Sequence, residues 1–123
     1  MSRIDWAGEC TAALEVTDYD RSLAWYRDVL GWDVVFELPT WKWAQLQTPV
    51  GGMLVGIGQS EEVKTGGGAT LTFTVADIEA ARAYLEAEGV RFDGEISQVE
   101  DMVRLTTFYD PDGNAFMLAQ QLR

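Results

Sequence analysis

Hydrophobic and polar positions follow one order twice along the chain. Residues 11–17, Thr-Ala-Ala-Leu-Glu-Val-Thr, suit a short strand. Asp18 then sits where a helix N-cap belongs, and Leu23, Tyr26 and Leu30 recur at i, i+3, i+7, one face of a helix near 19–30. Gly31 supplies the stop, because glycine accepts the left-handed conformation of a helix end. Strands are expected at 32–37, 41–47 and 53–58, with Pro39 between the first two and Thr48-Pro49-Val50-Gly51-Gly52 turning into the third. The second half repeats this grammar. Residues 69–75 alternate polar and apolar as a half-buried strand does, Asp77 caps a helix near 77–88 whose face is Ile78, Ala81 and Leu85, and Gly89 ends it. Strands follow near 90–96, 103–109 and 115–121, the last two joined by Asp110-Pro111-Asp112-Gly113.

The repetition is visible in the residues themselves. Val16-Thr17-Asp18 matches Val75-Ala76-Asp77 at an offset of 59, while Tyr26 matches Tyr84 and Gly31 matches Gly89 at an offset of 58. One residue is therefore missing around the second helix start. The turn Thr48-Pro49-Val50-Gly51 echoes Asp110-Pro111-Asp112-Gly113. The reading is a tandem repeat of two βαβββ modules, about 9–58 and 69–121, inside a single domain 1–123, with Gly66-Gly67-Gly68 as a linker. Two such modules can pair their sheets into one curved surface with the helices outside. A ferredoxin-like sandwich is the rival, and the third strand of each half disfavours it.

Composition narrows the function. The chain of 123 residues carries 9 Lys plus Arg against 20 Asp plus Glu, a formal net charge of −11, and is 47% hydrophobic. That suits one globular domain and no basic stripe for nucleic acid. The acidic balance attracts cationic ligands, or serves solubility alone. There is no histidine and one cysteine, Cys10, which excludes Ser-His-Asp catalysis, His-ligated metals and multi-Cys zinc patterns. No stretch of about 18 apolar residues occurs, so no membrane insertion is expected and a cytoplasmic location is.

The stretch Val16-Thr17-Asp18-Tyr19-Asp20-Arg21-Ser22-Leu23-Ala24-Trp25-Tyr26-Arg27-Asp28-Val29-Leu30-Gly31 resembles the opening of vicinal oxygen chelate proteins. These include glyoxalase I, extradiol dioxygenases and bleomycin-resistance proteins. Asp110-Pro111-Asp112-Gly113-Asn114 resembles their closing signature. The resemblance implies an α+β fold: tandem βαβββ modules forming a cupped mixed sheet around a ligand cavity, helices outside. It also implies a homodimer. Metal-dependent members point four strand residues of His, Glu or Gln type into the cup. By distance from the motifs these positions fall on Thr11, Thr70, Met117 and Gly56, or Val55 if the register slips by one. None is a credible ligand for a divalent first-row metal, so neither metal nor cofactor is expected.

Alternation then assigns the rest of the cup. With Thr11 facing in, so do Ala13 and Glu15; Thr70, Thr72 and Thr74 follow in the repeat, as do Ala115, Met117 and Ala119. Leu54, Gly56 and Gly58 face in from strand 53–58, the glycines leaving room. Strand 41–47 offers Trp41, Trp43 and Gln45. Trp41 and Trp43 read equally as pocket lining or as edge-strand packing, and Glu15 as a solvated carboxylate or as the cup's charge. Trp6 and Trp25 read as packing residues, Trp32 as semi-exposed or at a subunit contact, and Cys10 as buried or half-buried. Arg104 and Asp101 can pair at the cavity mouth or at the surface.

Such a lining suits a flat, aromatic or cationic ligand held by stacking, with Glu15 or an indole face meeting a cation. Two functions fit: a metal-free small-molecule-binding protein of the bleomycin-resistance type, or a metal-independent lyase or isomerase. In the second, Glu15 is the acid or base, with a tyrosine such as Tyr109. A vestigial pocket in a regulatory module is a third.

Overall fold

A computed structural model describes residues 7–65 and 70–122. The expected linker Gly66-Gly67-Gly68, Ala69 and Trp6 lie outside the described residues. The chain divides into two compact units at Val63/Lys64.

In the first unit, strand β1 (Cys10–Val16) leads into helix α1 (Tyr19–Asp28), followed by β2 (Asp33–Leu38), a 3-10 turn (Pro39–Trp41), β3 (Trp43–Gln47) and β4 (Met53–Gln59). The strands form a mixed sheet in the order β1-β4-β3-β2, with β1 parallel to β4 and the other pairs antiparallel. The second unit holds β5 (Leu71–Thr74), helix α2 (Ile78–Ala87), β6 (Arg91–Phe92), β7 (Ser97–Val99), β8 (Val103–Tyr109) and β9 (Ala115–Gln121). Its order, β5-β9-β8-β6, repeats the first, with β7 also paired to β8. The first unit is thus a βαβββ module, the second keeps the same order with one extra short strand, β7, and the fold is α+β with mixed sheets. Of the expected strand 90–96 only Arg91–Phe92 pairs; the chain turns at Gly94, φ 71°, and pairs again beyond the expected span at Ser97–Val99. No helix among the described residues is long and apolar enough to cross a membrane.

Both helices start by one device. Asp18 accepts from the Arg21 amide and Asp77 from the Ala80 amide, each at 3.1 Å. The next orphan amide of each helix meets a glutamine from the module's last strand. Tyr19 N–H donates to Gln59 Oε1 at 2.9 Å and Ile78 N–H to Gln120 Oε1 at 2.8 Å. α1 and α2 both end ten residues after their caps. The offset of 59 therefore holds through the whole helix, and the missing residue falls at its stop, between cap and glycine, not at its start. On that count Leu85, buried, is the counterpart of fully buried Tyr26, whereas Tyr84 is half exposed. The pairing of Tyr26 with Tyr84 is corrected accordingly.

Val16, Ala44, Leu46, Val55 and Ile57 have no exposed surface and form the helix side of the first sheet with Leu23 and Tyr26. Trp32 is buried too, its ring 5.6 Å from that of Tyr26, which corrects the semi-exposed reading. Trp25 packs edge-on against Tyr26 at 4.9 Å, as its packing role requires. Cys10, by contrast, is exposed, because it opens an edge strand.

The second unit puts an arginine where the first has a core leucine. Arg82 is the counterpart of Leu23, and its Nη1 donates to the buried Thr106 hydroxyl at 2.8 Å while its guanidinium lies 4.5 Å from the Phe92 ring centre. Replacing Arg82 by leucine strands that hydroxyl and is expected to lower stability by about 1–2 kcal/mol. Adding Thr106→Val removes the stranded group and should recover most of the loss, as urea denaturation of the single and double variants will show. A double variant no more stable than Arg82→Leu would refute this account of Arg82.

Candidate functional site on the first sheet

Strand pairing arranges the face away from α1 in rows. Glu15, Gly58 and Trp43 share one row, Ala13, Gly56 and Gln45 the next, and Thr11, Leu54 and Gln47 a third. Side chains in one row point to one side of the sheet, with adjacent strands about 4.8 Å apart. A bulge between Val34 and Phe36 then brings Phe36 beside Gln45 and Leu38 beside Trp43 on the same face. Phe36 and Leu38 are 44% and 46% exposed.

The two glycines of β4 create a trough, and the Trp43 indole fills it. A Cβ on Gly56 would overlap the indole Cη2 and Cζ2, and one on Gly58 would lie 3.0 Å from Cε3. The ring therefore lies across the backbone of β4 with Trp43 half-buried. The space expected at Gly56 and Gly58 is occupied from within. Trp41 does not join this face from β3. Pro39 starts a 3-10 turn that carries Trp41, left 78% exposed, and Lys42 takes φ 49° before β3 begins at Trp43.

Gln45 reaches over β4, its Nε2 donating to Thr11 Oγ1 at 3.0 Å. The bond spans the strand that carries Leu54, which is buried although it faces away from the helix. Gln47 is held differently: its Nε2 donates to the carbonyls of Thr48 and Val50 in the β3–β4 turn, at 2.9 and 3.0 Å. Glu15 is exposed at the end of the Trp43 row.

Tyr19 anchors the start of β3 from the other side. Its hydroxyl donates to Glu37 Oε1 at 2.6 Å, with the Trp43 carbonyl oxygen 3.3 Å away as the weaker arm of a shared contact. Burial first, then the Glu37 hydrogen bond, holds the phenol far above its ordinary range. The sequence reading missed this support, and it missed Phe36 and Leu38. An apolar residue at the first helical position and acidic Glu37 in a strand were the available signals for the former.

In the second unit, pairing puts Thr72, Met117 and Thr107 in one row, and Thr74, Ala119 and Leu105 in another, on the face away from α2. Thr70 precedes β5 and is exposed. Tyr109 is half-buried, and burial, followed by its hydrogen bond to Asp93, raises its phenol. Arg104 lies on the helix side, its Nη2 3.6 Å from Glu79, and not on the face with Met117. With Arg82, Glu79, Glu86, Glu95 and Ile96 it lines an open groove of about 350 Å³, whose arginines already face Glu79 and Glu86.

The residues at the positions expected for the family's metal ligands do not suit a divalent first-row metal. Thr11 and Thr70 offer neutral hydroxyls and Met117 a thioether, while at Gly56 an indole occupies the space a ligand side chain would take. Val55, the alternative to Gly56, is fully buried on the helix side. Among the described residues no three His, Cys, Asp or Glu side chains gather as a metal would need.

The chain matches the family model Glyoxalase/Bleomycin resistance protein/Dioxygenase superfamily over residues 3–118, and it belongs to that superfamily. Solved structures share its fold. A superfamily member from Sphaerobacter thermophilus DSM 20745 is 25% identical with a TM-score of 0.80, covering 96% of this chain and 100% of that one. TnmS3, an antibiotic binding protein from Streptomyces sp. CB03234, is 21% identical with a TM-score of 0.74, covering 97% and 99%. The fosfomycin resistance protein FosX from Listeria monocytogenes, complexed with Mn(II) and sulfate, is 18% identical with a TM-score of 0.75, covering 94% and 91%. No curated protein matches the chain.

Proposed function

We propose that this protein binds a planar, cationic aromatic small molecule without a metal, on the face of the first sheet that carries Trp43. The observation that carries this reading is the indole seated over Gly56 and Gly58, with Glu15 in its row and Phe36 and Leu38 beside it. A ring seated on backbone presents its outer face as a rigid stacking surface, so little side-chain freedom is lost on binding. Glu15 and the net charge of −11 favour a cation over a neutral ring. TnmS3, with the same fold, is an antibiotic binding protein. The donor set at the family's metal positions supports binding without a metal. Assembly as a homodimer belongs to the same reading, supported by exposed Val35 on edge strand β2.

Calorimetry with the planar cation ethidium and with neutral phenanthridine tests it. Trp43→Ala should weaken both. Glu15→Gln should weaken ethidium by about ten- to hundredfold, the worth of a charge-assisted contact, and leave phenanthridine unchanged. Treatment with a chelator should change neither. If instead Glu15→Gln leaves binding intact and abolishes turnover of a substrate, the metal-independent lyase or isomerase replaces this reading.

A further inference from the structure

The hydrogen bond between Gln45 and Thr11 decides which end of the Gln45 amide faces a ligand. Gln45 and Trp43 stand two residues apart on β3 and point to the same side, so the Gln45 head group lies beside the indole shelf. Its Nε2 is engaged by Thr11 Oγ1 at 3.0 Å. The amide is planar, so fixing the nitrogen turns the carbonyl oxygen away from Thr11. An amide free to rotate would offer a donor or an acceptor as the ligand required; with one N–H given to Thr11, Gln45 keeps both carbonyl lone pairs and a single N–H, a balance toward accepting.

We infer that Gln45, positioned by Thr11, makes this face selective for aromatic ligands that carry N–H donors on the ring edge, such as amino-substituted heteroaromatic cations. The inference rests on the proposed stacking role of Trp43 and adds a polarity requirement to it. The selection is mainly negative. A flat ligand on the indole removes water from the Gln45 carbonyl. A ligand with an edge N–H replaces that water, whereas one whose nitrogens are fully alkylated leaves the acceptor unpaired. Thr11 touches no ligand in this account and is a positioning residue.

Two acridines separate the effects. Proflavine and acridine orange share a planar cationic ring system, and differ in that the exocyclic amines of proflavine carry N–H groups while those of acridine orange are dimethylated. Fluorescence titration of the whole protein should give proflavine about tenfold tighter binding, one unpaired acceptor being worth roughly that factor. Gln45→Leu should bring the ratio close to one chiefly by strengthening acridine orange, because the acceptor it left unpaired is gone, whereas Trp43→Ala should weaken both dyes. Thr11→Val, at an exposed edge-strand position, should shrink the ratio while Gln45 remains, because the amide is released to rotate. A loss of stability alone would lower both affinities together and leave the ratio unchanged. Equal binding of both dyes by the wild type, still sensitive to Trp43→Ala, would overturn the Gln45 inference and leave the stacking reading standing. Failure of the wild type to bind either dye would overturn both.

Discussion

Gly56→Ala is expected to unseat Trp43 and remove the binding surface from a site it does not itself touch. The new methyl overlaps the indole Cη2 and Cζ2, and the flexible partner is the side chain, not the paired backbone of β4. The ring must rotate off the strand. The loss of its stacking face should weaken any planar aromatic ligand roughly ten- to hundredfold, since stacking on an aromatic side chain is worth about 1–3 kcal/mol. Overpacking should lower stability by about 1–3 kcal/mol as well. Gly58→Ala should do less, because its Cβ would sit 3.0 Å from Cε3, a contact that a small ring shift relieves. A double-mutant cycle isolates the cause. With Trp43 already alanine, Gly56→Ala has nothing to strike and should add almost no further loss of binding or stability. Additive losses in the Trp43→Ala background would show that Gly56 acts by another route and that the indole seat is not what holds the site.

Asp110→Ala should be the most damaging change in the second unit. Asp110 is 2% exposed, and three donors converge on its carboxylate: the Asp112 amide at 2.9 Å and the Asn114 amide at 2.8 Å on Oδ1, and Asn114 Nδ2 at 2.8 Å on Oδ2. These bonds define the turn that joins β8 to β9, where Gly113 takes φ 90°. Hydrogen bonds to a charged group contribute about 1.5–3 kcal/mol each, and the donors left behind are largely shut off from water. The expected loss is about 3 kcal/mol or more, a fall in Tm on the order of 10 °C. Asp110→Asn keeps the shape and one acceptor but turns an amide donor toward the Asn114 group, so it should fall between the two. The matching turn of the first unit uses neutral Thr48, whose hydroxyl donates to the Met53 carbonyl at 2.6 Å and accepts from the Val50 amide at 3.2 Å. Thr48→Ala should therefore be milder than Asp110→Ala. Thermal unfolding of the three variants checks the order, and an Asp110→Ala protein with wild-type Tm would contradict it.

Periodicity and punctuation were enough to read the two βαβββ modules. The strands at 103–109 and 115–121 appear where alternation and the Asp110-Pro111 turn put them, and both helices follow their aspartate caps. These signals are local: a cap bonds within a few residues, and a period of two or 3.6 records which side of one element is wetted. The same periodicity brought Thr11, Glu15, Trp43 and Gln45 to one face.

Where local signals compete, they mislead. Trp41, Trp43 and Gln45 alternate perfectly, yet Pro39 pulls Trp41 into a 3-10 turn, because a fixed φ starts a turn more readily than it continues a paired strand. In β2 the bulge after Val34 moves Phe36 and Leu38 to the opposite side from Val34, so counting by twos along 32–37 cannot place them. The offset of 58 at Tyr84 matched a residue type, while burial follows the angular position from the cap and selects Leu85.

The features that build the candidate site depend on neighbours far apart in sequence. That the positions expected for metal ligands carry hydroxyls, a thioether and a glycine, weak donors for a divalent first-row metal, is visible in the residue types themselves. That the glycines at 56 and 58 hold the Trp43 indole, and that Gln45 bonds Thr11 across 34 positions of chain, follows from strand register. Register is settled when a whole sheet chooses which side to bury, a global decision in which a single residue and its sequence neighbours have no vote.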